Sequence, residues 1–543
     1  MKKQLYIASV LSAALIISAC EGDDGANGID GEDGADGSNG FNSLVAVRDL
    51  PIGDAVCLGG GQVLDSGLDT NRNDILDPSE VTATEYLACA ATPTLRALHA
   101  SPDAPLVNIW IDEAPALTNV DFNQGSGFVG VGLAENVTED GADVRVRVEG
   151  ILPGDATTDV LDATLPFDFG TETTVIASGT IEEDTFAPII ITNEAGEEIP
   201  DGSFRAQVVH ASPSAPAVDV YVTALDGELV NPVNGDTPLA FGFWTERLPV
   251  PAGPYQIRVA VPVDGEDPIV VYDSGEIPLP AGADLMIVAT ENVFLGESAV
   301  QLMVLDGTTA APLYDKDTPA AALAVHLSPD APAVDVLADV GSTAEMEMIK
   351  LVENLDYTES CVINPVGAPE DYTLSVVATG DTTSVLDIPY QARVNEGTAV
   401  IVSGKLADAS LTAIPLGVDG RSVWTETKLR ITHGSPSTPN VDIYLLADGQ
   451  LPSDEDTSCE ANGFCNVPFG ADTGVLKIQP GVTYDAFVTA AGSTDAAITI
   501  PDFTPTNGQV LEVIARDAFG EETLPQALVI DYDGVEDCVV GAL

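Results

Sequence analysis

Histidine, serine and aspartate occupy alternate positions in His99-Ala-Ser-Pro-Asp-Ala-Pro-Leu-Val-Asn-Ile-Trp, and these are the side chains from which a base, a nucleophile and an orienting acid are assembled. The motif recurs as His210-Ala-Ser-Pro-Ser-Ala-Pro-Ala-Val-Asp-Val-Tyr, His326-Leu-Ser-Pro-Asp-Ala-Pro-Ala-Val-Asp-Val-Leu and His433-Gly-Ser-Pro-Ser-Thr-Pro-Asn-Val-Asp-Ile-Tyr. These copies hold all four histidines of the 543-residue chain. The details argue against hydrolytic chemistry. Each serine (Ser101, Ser212, Ser328, Ser435) directly precedes proline, in an extended hinge and not a strand-to-helix elbow. The acid after Ser-Pro is replaced by Ser214 and Ser437 in two copies. Residues two and four before each histidine are apolar (Ala97 and Leu95, Val208 and Ala206, Ala324 and Ala322, Ile431 and Leu429), so period-two alternation puts the imidazole on an apolar face. That setting predicts a buried, hydrogen-bonded histidine that ties a turn together, and no catalysis. One histidine per copy, with more than 100 residues between copies, also excludes a multi-histidine metal site within one domain.

Residues 69–80 offer a different chemistry, oxygen ligation of a hard cation. Asp69, Asn71, Asn73, Asp77 and Glu80 fall at positions 1, 3, 5, 9 and 12 of a twelve-residue loop, with Ile75 placed to contribute a backbone carbonyl and the apolar Leu76 following it. The loop resembles that of an EF-hand or dockerin, which implies calcium as cofactor. Asp74 stands where that pattern has glycine, at a position needing a left-handed backbone. Gly59-Gly60-Gly61 before the loop is not helical, whereas Ser79 to Ala90 can be, so half an EF-hand is expected. Cys57 and Cys89 bracket the unit. Their pairing would restrain the unfolded segment by about 3 to 4 kcal/mol in the loop-entropy description.

The chain begins with Lys2 and Lys3 before an apolar run, Leu5 to Ile17, too short for a membrane span but suited to a signal peptide of residues 1–19. Ile17-Ser18-Ala19-Cys20 is similar to the lipobox of bacterial lipoproteins. The resemblance implies cleavage before Cys20, lipidation of its thiol and anchoring to the lipid bilayer. Glu21, where inner-membrane retention signals often have Asp, favours the outer membrane or cell surface. Six cysteines remain, an even number suited to export. Cys459 and Cys465 flank a short loop and should pair; Cys361 and Cys538 either bridge a domain junction or stay free thiols. Glycine then recurs at every third position from Gly22 to Gly40, like short bacterial collagen-like stalks. With no proline in its triplets and seven acids from Glu21 to Asp36, it reads as a monomeric extended spacer over residues 20–40, reaching about 55 Å at polyproline rise.

These features must be positioned by the elements around them. After a small disulfide and calcium-loop unit (41–93), four repeats follow: 94–202, 203–317, 318–424 and 425–543. Successive histidines are 111, 116 and 107 residues apart, a domain-sized period. Past the second proline each copy alternates again: Val107, Ile109, Ile111; Val218, Val220, Val222; Val334, Val336; Val441, Ile443, Leu445. Asn108, Asp219, Asp335 and Asp442 lie on the opposite face and are expected to be solvated. Short alternating strands punctuated by Gly, Pro and Asp imply an all-β chain of four tandem immunoglobulin-like antiparallel β-sandwich domains. The motif, with its later Pro-Ala-Gly and Ser-Gly strands, resembles a bacterial domain-of-unknown-function family of exported repeats. That family is associated with cell-surface and secreted proteins.

Eighty-six acidic against 19 basic residues give a formal charge of −67, near −69 without the two leader lysines. Nucleic acid is excluded as a partner, and a saline or divalent-rich setting suits such a surface. The expected function is a surface-displayed binding, adhesion or structural module with an envelope or matrix polysaccharide or protein as partner. The alternative is an enzyme, or an accessory carbohydrate-binding protein, acting on extracellular polymers.

Overall fold

A computed structural model describes residues 40–52, 54–57, 59–133, 137–138, 140–293, 295–339, 348–366, 369–453 and 464–538. Cys20, the leader, Cys459 and all but the last glycine of the Gly-x-y tract lie outside the described residues. The chain divides into two compact units: residues up to 48 with 63–85, and 49–62 with 86–543. No described helix is long and apolar enough to cross a membrane.

The segment before the repeats forms a three-stranded sheet in the order Asn42–Leu50, Gly61–Asp69, Val81–Cys89. The helix expected over 79–90 is therefore a strand. Val81, Thr82, Thr84 and Tyr86 are β-branched or aromatic and fit a pleated surface better than a helix. The Thr84 hydroxyl donates to the buried Asp65 carboxylate at 2.6 Å, adding a side-chain tie to the neighbouring strand. The acidic loop thus joins two sheet neighbours and leads into no helix.

Each repeat is a sandwich of two sheets. In repeat 1 the inner sheet runs Ala187–Glu194, Thr171–Ser178, Thr94–His99, Val129–Gly130, and the outer sheet runs Ala114–Val120, Val107–Ile111, Gly141–Ile151, Thr157–Asp168. The Ser-Pro hinge carries the chain from the inner to the outer sheet. Leu95, Ala97, Val107, Ile109, Val144 and Val146 close the core between them. Residues two and four before the histidine do face that core, as alternation requires. The sandwiches are not wholly antiparallel, however. In every repeat the histidine strand pairs in parallel with a later strand: His99 lies opposite Ala177, His210 opposite Ala289, His326 opposite Val402 and His433 opposite Ala515. Between the two the chain crosses to the outer sheet and back twice, passing once through an inner-sheet edge strand that pairs antiparallel with the histidine strand.

The inner sheets are buried on both faces. Leu98, Ile176, Ile189 and Ile191 of repeat 1 share a core with Val209, Met286, Val288 and Met303 of repeat 2. Leu323, Val325, Ile401 and Leu416 of repeat 3 share one with Ile514 and Ile530 of repeat 4. Repeats 1 and 2, and repeats 3 and 4, are therefore stacked back to back rather than strung in series. Gly434, where the other motifs have a larger residue, belongs to this packing: a Cβ there would lie 2.7 Å from the Ile514 side chain. The C-terminal segment closes the second pair. Val362 N–H donates to Glu536 O at 3.0 Å, Cys538 N–H donates to Val362 O at 2.8 Å, and Cys361 and Cys538 form a disulfide, deciding the question the sequence left open. Cys57 and Cys89 are also bridged, and Cys465 is disulfide-bonded.

Ile176 is fully buried between repeats 1 and 2, not within either sandwich. Ile176→Ala should lower the stability of this pair by about 2 to 5 kcal/mol. Urea denaturation of the full chain should show the loss, and an unchanged midpoint would contradict the shared core.

Candidate functional site

The four motif turns have one construction. Each imidazole Nε2 lies 2.9 to 3.1 Å from the carbonyl oxygen of the motif's second proline, Pro105, Pro216, Pro332 or Pro439. A carbonyl only accepts, so Nε2 carries the proton and the ring is the neutral tautomer. Each ring also meets an aromatic side chain edge-on: Phe122, Phe241, Tyr357 or Phe469, with centroids 6.1 to 6.4 Å apart. In repeats 1 and 3 the free Nδ1 accepts the N–H of Ser101 or Ser328 at 3.3 Å. Burial pushes the His99 pKa down to about 4, against the opposing pull of the Pro105 carbonyl. The other three histidines are lowered for the same reason.

The serine hydroxyls are directed away from the imidazoles. Ser101 Oγ donates to Gly179 O at 2.7 Å and Ser212 Oγ to Glu291 at 2.6 Å; Ser328 Oγ is 3.4 Å from Asp330, and Ser435 Oγ bonds Asp517. The missing acids have a physical explanation. In repeats 1 and 3 the motif carboxylate reaches across to the end of the parallel partner strand. Asp103 accepts the N–H groups of Ile181 and Glu182, both at 2.8 Å, and Asp330 those of Leu406 and Ala407 at 2.8 and 2.9 Å. In repeats 2 and 4 the polarity of the contact is exchanged. Ser214 and Ser437 donate through hydroxyl and backbone N–H to Glu291 and Asp517, which stand at the end of that partner strand. The acid has moved to the other side of the same junction.

Asp335 and Asp442, expected to be solvated, are buried. Asp335 accepts the N–H of Asn354 at 2.9 Å and the Thr379 hydroxyl at 3.0 Å, and pairs with Lys350 at 2.8 Å. Asp442 accepts the N–H groups of Asn466 at 2.6 Å and Gly492 at 2.7 Å. Asn108 accepts the N–H of Asn119 at 3.0 Å, and Asp219 accepts the Asn234 amide at 2.9 Å. Asn119, Asn354 and Asn466 all have left-handed backbones. The carboxylate or amide nine residues after the histidine thus holds a bend in the adjoining segment that alternation alone could not reveal.

In the acidic loop Asp69 and Glu80 are buried and organise the backbone. Asp69 accepts the N–H groups of Asn73 and Asp74 at 3.0 and 2.9 Å; Glu80 accepts those of Thr70, Asn71 and Asp77 at 2.8, 3.0 and 3.2 Å. Asn71 Nδ2 and Asn73 Nδ2 converge on one Asp77 oxygen, at 2.6 and 3.0 Å. Asp74 takes φ +57°, the left-handed conformation its position requires. The Asn71 and Asn73 side-chain oxygens accept the N–H groups of Asn73 and Ile75 at 3.0 and 2.8 Å, so ligation of a hard cation by these oxygens would require both side chains to release the loop backbone. Asp69, Asn71, Asn73, Asp77, Glu80 and the Ile75 carbonyl are the groups that would hold it.

Two arrangements had escaped the reading of the sequence because their members are remote along the chain. Carboxylate oxygens of Asp448, Asp485 and Asp502 lie within 4.8 Å of one another, and Asp485 accepts the N–H groups of Gly449 and Asp502. The other is Arg421, which is 4 % exposed. It donates to Pro102 O at 3.1 Å and Ala104 O at 2.9 Å, pairs with Asp121, and lies over the Phe122 ring at 5.6 Å; Trp424 N–H donates to Asp103 O at 2.8 Å. The link between repeats 3 and 4 thereby clamps the first motif turn. Its only signal in the sequence is the scarcity of bases.

The fold and these turns define a protein of tandem β-sandwiches hinged on a buried histidine. Residues 93–221 and 320–444 match the family described as Domain of unknown function (DUF4397), and residues 42–89 match a second, DUF7151. Each DUF4397 match runs from one motif through the next, spanning one sandwich and the opening strands of the sandwich stacked on it. No curated protein matches the chain.

The neutral imidazoles make stability depend on pH. His99 binds a proton in the unfolded chain near pH 6.5 but in the fold only near pH 4, so its contribution is complete above 6.5 and is lost as pH falls toward 4. The shift corresponds to roughly 3 kcal/mol. Denaturation midpoints should fall from pH 6.5 to 5, before most carboxylates titrate, and His99→Gln should flatten that slope. A wild-type midpoint that stays level over this range would refute the burial argument.

Proposed function

We propose that this chain is an exported lipoprotein, held to the bacterial outer membrane or cell surface by acylated Cys20. Its calcium-braced unit and four β-sandwiches act as a binding, adhesion or structural module in the envelope or extracellular matrix, without catalysis. The observation that carries this reading is the Ile17-Ser18-Ala19-Cys20 lipobox directly after the only leader-like apolar run. Oxidised cysteines support it, since Cys57, Cys89, Cys361, Cys465 and Cys538 are all disulfide-bonded, as suits a compartment outside the cytosol. The Gly-x-y spacer would carry the sandwiches away from the lipid. The acidic surface favours partners that are neutral, basic or bridged by divalent cations. An envelope or matrix polysaccharide or protein meets that description.

Cys20→Ser should abolish acyl-chain labelling and release the protein from the membrane fraction; continued membrane retention would overturn the anchoring. Calcium titrated into the mature chain in a calorimeter should bind one site in the 69–80 loop. Asp69→Asn combined with Glu80→Gln should remove it, and the absence of that site at millimolar calcium would refute the loop assignment.

A further inference from the structure

The clamp on the first motif turn is a built guanidinium site, because Arg421 fills it: two turn carbonyls, a carboxylate and an aromatic face converge on one planar cation. The parts come from the Ser-Pro turn and from the loop bearing the ring that packs on the histidine. Repeat 3 rebuilds that loop bond for bond. Asn123 N–H donates to His99 O at 2.7 Å, as Thr358 N–H does to His326 O at 2.8 Å. Asp121 N–H donates to the Gln124 side chain at 3.2 Å, as Asp356 N–H does to that of Glu359 at 2.9 Å. Asn123 and Thr358 both have left-handed backbones. Asp356 therefore stands where Asp121 stands, and Tyr357 where Phe122 stands. In repeats 2 and 4 the carboxylate position holds Ala240 and Pro468, so the set is complete only in repeats 1 and 3.

The two complete sets differ in what covers them. In repeat 1 the turn is buried beneath Arg421, whereas in repeat 3 Asp330, Pro332 and Asp356 are exposed. The Tyr357 ring is already covered, by Arg516 at 5.7 Å and by the Phe519 ring at 4.6 Å between centroids, while the Arg516 guanidinium is engaged by Glu522 and the Asp517 carbonyl. Among the described residues no group donates to the Pro329 or Ala331 carbonyls or to the Asp356 carboxylate.

We propose that the Ser-Pro turn of repeat 3, with Pro329 O, Ala331 O and Asp356, is an arginine-binding socket for a partner polypeptide. The occupant is an extended segment presenting an arginine, as residues 421–424 do to repeat 1, and the chain's charge of −67 favours such a cationic visitor. Lysine, a point charge without the planar fork, cannot reach two carbonyls and a carboxylate together. This goes beyond surface display and fails separately from it, since anchoring and calcium binding are measured on other residues.

The probe is an acetylated, amidated and fluorescently labelled peptide of residues 420–424, titrated into the mature chain by anisotropy, beside the same peptide carrying Arg421→Lys. The arginine peptide should bind at sub-millimolar concentration, and the lysine peptide about tenfold more weakly. Asp356→Asn in the protein should weaken the arginine peptide by a similar factor while leaving the melting temperature unchanged, because that side chain is exposed. Absence of binding at millimolar peptide, equal binding of the two peptides, or binding indifferent to Asp356→Asn would each overturn the socket.

Discussion

A buried imidazole bonded to a proline carbonyl is the constraint on which each sandwich depends. The histidine lies at the end of an inner-sheet strand, and the proline whose carbonyl it reaches closes the passage to the outer sheet, just before the outer strand begins. One hydrogen bond therefore sets where the two layers join, and the edge-on aromatic ring fills the space beside it. Proline suits the acceptor side because it has no N–H to satisfy in the turn, only a carbonyl. The same geometry makes the ring a poor proton donor or acceptor for chemistry at neutral pH. It is desolvated, its Nε2 proton is committed, and its pKa is displaced downward.

Around that joint, polar groups are exchanged without loss of the contact. The junction between the motif turn and the parallel partner strand always contains a carboxylate, on the motif side in repeats 1 and 3 and on the strand side in repeats 2 and 4. The alternation follows the stacking, since each pair joins one repeat of each kind. Burying both faces of the inner sheets removes apolar area that a lone sandwich would leave to water. It also brings charged groups into the body: Arg205, Arg247, Arg421, Lys428 and Arg430 are all at least nine-tenths buried along their side chains and paired with carboxylates. Bases are thus drawn inward while most acids stay outside. A surface more anionic than the composition alone implies is the result, and it bears on which partners can approach.

Much of this was legible without coordinates. Four copies of one motif revealed a domain-sized period, and alternation around His99, His210, His326 and His433 predicted their burial, because a period of two is a local property of an extended chain. Ligand spacing in residues 69–80 pointed to the loop that the buried Asp69 and Glu80 organise. The misreadings came from side chains whose role depends on neighbours far along the chain. Ser79 to Ala90 contains good helix formers but is recruited as a strand by the sheet beside it. Asp335 and Asp442 look like solvent-facing strand residues until the bends at Asn354 and Asn466 are seen to need an acceptor.

The sequence by itself determined the all-β class, the four sandwiches, the hinge in each and the acidic character of the chain, because strand alternation, turn residues and charge are written locally. Tertiary structure alone decided the rest. Leu98, Val209 and Val325 precede the histidines and face a neighbouring repeat, yet their apolar character has no address in the sequence. Whether Cys361 meets Cys538, why Gly434 must lack a side chain, and that Arg421 closes on a turn more than 300 residues earlier all depend on which sheets stack. Those contacts are set by shape and burial between distant segments, and a one-dimensional pattern does not record distance in space.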